Sequence, residues 1–372
     1  MLIGVPKEIK VHEYRVGMTP AAVREAVSHG HEVLVQTGAG TGADCGDAQY
    51  LAAGARIAAT AAEVFAHAEM IVKVKEPQPT ECALLREGQV LFTYLHLAPD
   101  AEQVRLLRHS GCTAIAYETV TSHSGGLPLL APMSEVAGRM SVQVGATALQ
   151  KASGGRGILL GGVPGVPHAS VVILGGGVAG THAARMALGM GAEVTVFDKS
   201  LPRLRQLDDL FGGRLRTVYA TSLDTEAAVL AADLIIGAVL IPGAAAPKLV
   251  RREHLASMRP NAVLVDISID QGGCFETSRP TTHQEPTYML DGIVHYCVAN
   301  MPGAVPHTST VALNNATLPY TLALADKGWK LACAEDAHLC DGINIHAGEV
   351  LSETVAEALG LEFRPPGNAL AA

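Results

Sequence analysis

One stretch near the middle of the chain has residue types and spacing suited to binding a dinucleotide. Four apolar residues, 171–174, are typical of a buried parallel strand and lead directly into a Gly-x-Gly-x-x-Gly motif. Gly175 permits a tight turn, Gly177 lets the backbone approach a pyrophosphate, and Gly180 allows a helix to pack closely on the strand. The next apolar run ends in Asp198, whose carboxylate can accept hydrogen bonds from a ribose. Because strand, turn, helix and acid lie in register, the pattern predicts a nucleotide site rather than an ordinary glycine-rich turn.

Arginine and lysine side chains in the first hundred residues could bind a small acid. Arg15 lies in a loop after the first predicted strand, where its guanidinium could hold a carboxylate bidentately; from spacing alone, a solvated surface arginine is the favoured alternative. In the run 71–75, alternation predicts that Lys73 and Lys75 share one strand face. A lysine at a buried strand's end could polarise a carbonyl, whereas an ordinary edge lysine is more common. The pattern does not choose between the two lysines.

Two further residues are candidates for proton transfer. His96 follows a predicted strand, and imidazole titrates near neutral pH, although the chain has fifteen histidines and a structural histidine is the alternative. Asp270 closes a run in which Asp266, Ser268 and Asp270 are predicted to share one strand face. Asp270 lies farthest toward the carboxyl end, where such folds bind ligands, and a structural cap at the strand end is the alternative.

The elements before residue 128 predict a parallel α/β domain, because short apolar runs alternate with helical segments. The predicted strands are 2–5, 33–36, 70–74, 90–94 and 113–117, and the predicted helices are 20–29, 48–53, 61–68 and 101–110. No glycine-rich phosphate turn follows these strands, so this domain is expected to bind something other than the nucleotide. A helix that starts near Pro132 and carries an apolar stripe is expected to bridge two domains. The stripe comprises Val136, Met140, Val144 and Ala148.

Six strands predicted after residue 170 would complete one doubly wound Rossmann domain. They are 171–174, 193–197, 216–219, 233–239, 262–269 and 293–298. The remaining tail begins with a long helix and is too short to be stable alone, so it is expected to pack back on the first domain. We therefore predict an α/β protein with a discontinuous substrate domain, 1–128 and 305–372, and a nucleotide-binding domain, 129–304. The reactive site is expected in the cleft between them.

Composition narrows the class of protein. The chain has 372 residues, of which 48% are hydrophobic and 17% charged, which suits two full α/β cores. A net charge of −9 without a basic run argues against nucleic acid as a partner. Seven scattered cysteines without a Cys-x-x-Cys pair indicate neither a disulfide framework nor a metal site. The absence of a signal peptide or long apolar run predicts a soluble cytoplasmic protein without a membrane partner.

Segments throughout the chain resemble the alanine dehydrogenase family, which is related to the transhydrogenase alpha subunit. They are GVPKEIKVHEYRVGMTP, VKVKEP, TYLHLAP, APMSEVAGRM, GGVPGVPHASVVILGGGVAG, IIGAVLIPGAAAPKLV, VDISIDQGGC and VANMPGAVPHTST. The resemblance spans essentially the whole length. It implies an oxidoreductase that uses NAD to deaminate L-alanine to pyruvate and ammonium, and that also catalyses the reverse amination. It also implies a homohexamer.

The resemblance assigns roles that spacing leaves open. It implies that Arg15 binds the substrate carboxylate, Lys75 binds the carbonyl, His96 is the acid/base and Asp270 is the catalytic aspartate. It also implies a set of NAD contacts, some on the glycine motif and the rest beyond it. These are Ser134, Gly175, Gly177, Val178, Ala179, Gly180, Asp198, Arg203, Val239, Leu240, Ile267, Asp270, Val298, Asn300 and Met301. Ala220 departs from the family, whose members carry a serine near the adenosine, and this affects one hydrogen bond to the cofactor.

Substrate selectivity must come from the pocket around the amino-acid side chain, because any 2-amino or 2-oxo acid offers the same carboxylate and polar Cα group. The resemblance supplies Tyr94, Leu130 and Met133 as walls that leave room for a methyl group. Three alternatives remain: the NAD-binding part of proton-pumping transhydrogenase, a saccharopine-forming or related amino-acid dehydrogenase, and a non-catalytic NAD-sensing module. NADH formation with a panel of amino acids would distinguish them.

Overall fold

The computed structural model describes residues 1–239 and 246–371, which form two compact units. The first unit contains Met1–Met133 together with the chain from Val305 onward, and the second contains Ser134–Ala304. The strands, in chain order, are β1 (Leu2–Val5), β2 (Glu32–Gln36), β3 (Arg56–Ala58), β4 (Met70–Val72), β5 (Val90–Thr93), β6 (Thr113–Ala116), β7 (Ser170–Leu174), β8 (Glu193–Asp198), β9 (Arg216–Tyr219), β10 (Leu234–Gly237), β11 (Val263–Asp266), β12 (Thr287–Leu290), β13 (Ile293–Tyr296), β14 (Ile343–His346) and β15 (Glu349–Val350). The α-helices are α1 (Pro20–Ser28), α2 (Asp47–Ala52), α3 (Ala61–His67), α4 (Pro79–Cys82), α5 (Ala101–Ser110), α6 (Ala131–Ala148), α7 (Val178–Gly189), α8 (Leu201–Phe211), α9 (Ser222–Ala231), α10 (Arg252–Leu255), α11 (Pro306–Glu335), α12 (Ala337–Cys340), α13 (Glu353–Leu359) and α14 (Gly367–Ala371).

The first unit is built on an eight-stranded sheet of order β15-β14-β6-β5-β4-β1-β2-β3. The run from β6 to β3 is parallel, and β14 and β15 add an antiparallel edge. The five predicted strands are present; β3, β14 and β15, which are at most four residues long, were not predicted. The prediction that β4 runs to residue 74 is wrong, because the Val74 N–H donates to Glu8 Oε1 (2.7 Å) and the strand ends at Val72. Lys73 and Lys75 therefore lie beyond the strand, not along one of its faces.

The second unit is built on a seven-stranded sheet of order β12-β13-β11-β10-β7-β8-β9. The six strands from β13 to β9 are parallel, and β12 pairs antiparallel with β13. Numbered within the unit, the parallel strands have the order of a doubly wound Rossmann domain, with the switch point between β7 and β10. The predicted two-domain α/β fold class is confirmed, and the additional strand β12 lies at the sheet edge.

The predicted strand 262–269 is wrong beyond Asp266. The Asp266 side chain accepts a hydrogen bond from the Ser268 N–H (3.0 Å), and residues Ile267–Gln271 form a 3₁₀ helix. An aspartate side chain that bonds the backbone two residues later competes with the sheet ladder and turns the chain. Asp266, Ser268 and Asp270 therefore do not share one strand face.

Two helices follow the predicted pattern closely. Helix α6 buries Val136, Met140 and Ala148 of the predicted stripe, and Val144 is half-buried. Helix α11 has a break at Gly328, which adopts a left-handed φ of 73°. Within the first unit α11 fixes the loop after β1: Asn314 accepts from the Thr19 N–H (2.7 Å) and donates to the Gly17 carbonyl (3.2 Å). In the part of the chain described, no helix combines the length and apolar character needed to cross a membrane.

Candidate active site

In the first unit, the loops after four adjacent strands carry the polar candidates. Strands β6, β5, β4 and β1 are neighbours in the sheet and run in the same direction. Glu118, His96, Lys75 and Arg15 follow these four strands in that order. Because the carboxyl ends of parallel strands meet at one sheet edge, this topology brings together side chains that are far apart in sequence.

Arg15 is buried rather than solvated, with 2% of its surface exposed. Its Nε and Nη2 donate to the two carboxylate oxygens of Glu13 (2.7 and 2.5 Å), and its Nη1 approaches Met133 Sδ at 2.9 Å. Burial lowers the pKa of Arg15, but Glu13 more than compensates, so the net shift is upward. The alternative of a solvated surface arginine is therefore wrong. Glu13 fixes one edge of the guanidinium, and with it the orientation of the whole planar group.

Two lysines that sequence spacing could not separate have different environments. Lys73 is fully buried, and its Nζ donates to Glu81 Oε1 (2.7 Å) and Glu8 Oε2 (3.2 Å). Lys75 is 7% exposed, and among the described residues its ammonium has neither a hydrogen bond nor an ion pair. Lys73 is thus neutralised by two carboxylates, whereas Lys75 keeps an ammonium available for a ligand.

His96 is held in an unusual backbone conformation. Its φ is +50°, a left-handed value that a residue with a Cβ rarely adopts. Its N–H donates to Glu118 Oε1 (2.6 Å), and its ring stacks on Tyr94 at a centroid distance of 5.7 Å and an interplanar angle of 8°. The Tyr94 hydroxyl in turn donates to the Leu129 carbonyl (2.5 Å). The imidazole is therefore positioned from both its backbone and its face.

The electrostatic environment keeps the His96 ring neutral at pH 7. Partial burial, followed by the charges of Lys75, Lys10 and Arg15, lowers the pKa of His96 to about 3. The sequence suggested a group titrating near neutrality; burial, which disfavours the charged imidazolium, accounts for the largest part of the difference, and the positive charges of Lys75, Lys10 and Arg15 add to it. A neutral imidazole offers an unprotonated nitrogen as a proton acceptor.

In the second unit, the glycine motif forms the expected turn between β7 and α7. Gly175 has φ +102°, and a Cβ on Gly180 would lie 1.8 Å from the Gly175 carbonyl oxygen, so both positions require glycine. A Cβ on Gly177 would meet no heavy atom within 4 Å. Gly177 is also the N-cap of α7 and provides no side-chain cap, which leaves the helix N-terminus open to an anion. This geometry fits a pyrophosphate.

Asp198 and Arg203 organise this turn as well as lying near it. Asp198 Oδ2 accepts from the Gly176 N–H (2.7 Å), and Oδ1 accepts from the Ser200 N–H (2.8 Å). Arg203 Nε donates to the Gly176 carbonyl (2.6 Å), and its Nη2 donates to Thr181 Oγ1 (2.6 Å). Both side chains thus fix the peptide at Gly176 in the middle of the motif.

The other predicted cofactor residues cluster by topology. Most follow the carboxyl ends of β10, β11 and β13, which lie on one side of β7 in the sheet, with β10 as its direct neighbour. Ser268 Oγ donates to the Val239 carbonyl (2.7 Å) and links two of these loops, while Asp270 is exposed in the 3₁₀ helix. Residues in these positions are Val239, Ile267, Asp270, Val298, Asn300 and Met301. Ser134, Val178 and Ala179 lie in the first turns of α6 and α7. Leu240 lies outside the described residues.

Both halves of the chain match models of one protein family. Residues 4–137 match the alanine dehydrogenase/PNT N-terminal domain, and residues 141–353 match the alanine dehydrogenase/PNT C-terminal domain. The chain belongs to the alanine dehydrogenase/PNT family. The resemblance seen in the sequence is confirmed.

Individual members of the alanine dehydrogenase/PNT family match nearly the whole chain. It is 62% identical to the alanine dehydrogenase of Halomonas elongata over 98% of both chains, and 55% identical to that of Mycobacterium tuberculosis H37Rv over 100% of both. A solved L-alanine dehydrogenase superposes with a TM-score of 0.93 at 52% identity, covering 97% of this chain and 99% of that one. A transhydrogenase from Sinorhizobium meliloti gives 0.80 at 25% identity, covering 95% and 99%.

The sequence did not predict which carboxylates position the candidate site residues. Glu13 and Glu118 contact Arg15 and His96, while Asp266 accepts from the backbone of residues 268, 274 and 275 and fixes the loop that carries Asp270. Glu13 lies two residues from Arg15, and this proximity is a signal that could have identified it. For Glu118, 22 residues from His96, no local signal exists.

Proposed function

We propose that this family member catalyses the NAD-dependent oxidative deamination of L-alanine to pyruvate and ammonium, and the reverse amination. The proposal rests on the charged cluster of the first unit, which we define as Arg15, Lys75 and His96 with Glu13 and Glu118. It combines an oriented guanidinium, an ammonium that has no partner among the described residues, and a neutral imidazole at neighbouring strand ends. The names of the close relatives give the same reaction class.

Arg15 and Lys75 are assigned to substrate binding. Arg15 binds the substrate carboxylate, and Glu13 fixes the orientation of the guanidinium. Lys75 interacts with the group at Cα, donating a hydrogen bond to the carbonyl oxygen of pyruvate. Together they orient the amino acid for reaction, so that positioning provides a large part of the rate enhancement.

His96 and Asp270 are assigned to the proton steps. Removal of the Cα hydrogen of alanine as hydride, for which NAD would be the acceptor, leaves an iminium, which adds water, releases a proton and then expels ammonia. His96, as a neutral imidazole, accepts the proton released on water addition and returns one to the departing nitrogen. A substrate carboxylate bound by Arg15 offsets part of the cationic field, which raises the pKa of His96 from its low value toward the range useful for catalysis. Asp270 holds the attacking water.

NAD is assigned to the second unit, where it would supply the hydride acceptor. The open helix N-terminus at Gly177 would hold its pyrophosphate, and Asp198 would accept hydrogen bonds from the ribose and repel the 2′-phosphate of NADP. The further contacts proposed are those of Ser134, Arg203 and the loops after β10, β11 and β13. Lys199 and Arg203 lie close to Asp198 in sequence and soften the preference for NAD.

The side-chain pocket is assigned to Tyr94, Leu130 and Met133. Met133 is 7% exposed and Tyr94 3%. The contact of Met133 Sδ with Arg15 Nη1 supports a pocket wall beside the proposed carboxylate site. Bulky walls near Cβ would admit a methyl group and exclude larger side chains by steric clash. One methylene more or less in a hydrophobic pocket changes the free energy of binding by only ~1–3 kcal/mol, whereas a clash costs more. We further propose a cytoplasmic homohexamer.

The deciding experiment measures NADH formation with glycine, L-alanine, L-serine, 2-aminobutyrate and L-valine. We expect kcat/KM to be highest for alanine and to fall steeply beyond two side-chain heavy atoms. Valine turned over as well as alanine would contradict the pocket assignment and favour another amino-acid dehydrogenase. NADH binding without turnover of any amino acid would indicate an NAD-sensing module or a transhydrogenase-like role.

A further inference from the structure

The backbone of His96 needs a partner that compensates for its conformation. A φ of +50° brings Cβ close to the chain, and the neighbouring residues Leu95 and His96 present consecutive N–H groups. Consecutive N–H groups near a left-handed residue form a concave donor site that suits an anion. In this structure the anion is a side chain of the same unit.

Glu118 fills this donor site. Its Oε1 accepts from the His96 N–H at 2.6 Å, and both oxygens lie 3.2 Å from the Leu95 nitrogen. The side chain of Glu118 is 14% exposed, and the His96 Nδ1 lies 3.9 Å from Oε1. The carboxylate is therefore shielded from solvent and is directed at the backbone of His96 more than at its ring.

The position of Glu118 follows from the sheet. It lies in the 3₁₀ helix Tyr117–Thr119, which begins where β6 ends, and β6 is the immediate neighbour of β5, the strand that leads to His96. Burial raises the pKa of Glu118, and the hydrogen bonds from the His96 and Leu95 N–H groups, followed by the charge of Lys75, oppose the rise. One carboxylate thus binds the backbone of one proposed catalytic residue, and its protonation is coupled to the charge of a proposed substrate-binding residue.

We propose that Glu118 is a positioning residue: by binding the N–H groups of Leu95 and His96 it holds His96 in the left-handed conformation and keeps the imidazole stacked on Tyr94, where it exchanges protons with the substrate. This inference rests on the proposed function for its catalytic consequence. The backbone contact itself does not depend on the reaction.

The test uses Glu118→Ala and Glu118→Gln. Alanine removes the acceptor and should lower kcat for alanine oxidation about 100-fold, because small displacements of a catalytic group have effects of this order, with a smaller change in KM. Glutamine keeps one acceptor oxygen and removes the charge, so it should restore at least a tenth of the wild-type kcat. NADH affinity, which depends on the second unit, should be unchanged in both. Glu102→Ala, which removes an exposed carboxylate on α5 that bonds Arg105, is the control and should match wild type.

Amide hydrogen exchange tests the contact independently of activity. The N–H groups of Leu95 and His96 should exchange faster in Glu118→Ala and close to the wild-type rate in Glu118→Gln. Unchanged exchange in the alanine variant, or faster exchange with unchanged kcat, would overturn the proposal. If wild-type protein turned over no amino acid, the proposed function would fail while the exchange result still decided whether Glu118 holds this backbone. If Glu118→Ala does not fold, an NADH-binding Glu118→Gln variant with wild-type exchange but a kcat more than 100-fold lower would also overturn it.

Discussion

The charged cluster of the first unit and the glycine turn of the second, Gly175–Gly180, occupy equivalent positions in their sheets. The groups that they present to a ligand are different. Each lies at the carboxyl edge of a parallel sheet. The glycine turn presents backbone, and its key positions are defined by the absence of a Cβ. The charged cluster presents side chains, each fixed by a partner from another loop or by a near neighbour. A site made of backbone is sensitive to added atoms, whereas a site made of charges is sensitive to lost partners.

The buried ion pairs of Lys73 with Glu8 and Glu81 illustrate this sensitivity to the loss of a partner. Lys73 is fully buried between Glu8 and Glu81, and burial raises the pKa of Glu8 although Lys73 opposes the rise. Removing the cation would leave two carboxylates buried without a counter-charge, which is far more costly than the small net value of an intact pair. Lys75, two residues along, has no such structural duty among the described residues.

The largest effects are expected at these two lysines, on activity for Lys75 and on stability for Lys73. Lys75→Ala should lower kcat/KM for alanine about 10²–10³-fold, as expected for loss of a charge-stabilising donor, and should leave the stability unchanged. Lys73→Met should lower the free energy of unfolding by about 3–5 kcal/mol, because it breaks a buried ion pair. Steady-state kinetics and urea unfolding of both variants measure this. An active Lys75→Ala enzyme would transfer the role to Lys73 or remove it.

A smaller effect on activity is expected at Asp198, a charged side chain that binds the backbone of the glycine turn. Asp198→Ala removes both the charge and the acceptor for the Gly176 N–H, so NAD affinity should fall about tenfold and the NAD/NADP preference should narrow. Asp198→Asn keeps an acceptor and should narrow the preference with less loss of NAD affinity. Kinetics with both cofactors provide the comparison. Wild-type protein that uses NADP as well as NAD would contradict the assignment.

The smallest effect concerns pH and stability. Because the pKa of His96 is lowered to about 3 in the folded state from an unfolded value near 6.5, the unfolded chain binds more protons between these values. The contribution of His96 to stability is complete above pH 6.5 and is lost as the pH falls toward 3. With 38% of the side chain exposed, the effect should be modest. Urea midpoints at pH 7 and pH 5 should differ less in His96→Ala than in wild type; an equal difference would contradict the pKa assignment.

The same contrast explains what the sequence could predict. The glycine turn is encoded by spacing within six residues, so the motif, its strand and its helix were all predictable. The choice between Lys73 and Lys75 depends on Glu8, which is 65 residues from Lys73, and the burial of Arg15 depends on how its loop folds. These are properties of the tertiary structure, and the family resemblance supplied the residue roles that spacing could not.

Local competition accounts for the errors in element bounds. The run 262–269 has the apolar alternation of a strand, but the Asp266 side chain bonds the backbone at Ser268 and ends it. The predicted helices 20–29, 48–53, 61–68 and 101–110 are confirmed to within one residue at each end, because caps such as Thr19 and Asp100 define where helices begin. The edge strand β15 has only two residues, Glu349 and Val350, and so leaves no apolar run in the sequence.

In this protein, the backbone geometry of the second unit should determine cofactor binding, and side chains of the first unit should determine binding of the substrate acid. The most direct test is a fluorescence titration with NADH, followed by pyruvate, of wild type, Gly177→Ala and Lys75→Ala. Gly177→Ala should unfold like wild type, since a Cβ there meets no heavy atom within 4 Å, yet bind NADH at least about tenfold more weakly. Lys75→Ala should bind NADH normally and lose the response to pyruvate. Normal NADH binding by Gly177→Ala, or equal loss of NADH binding in both variants, would contradict the account.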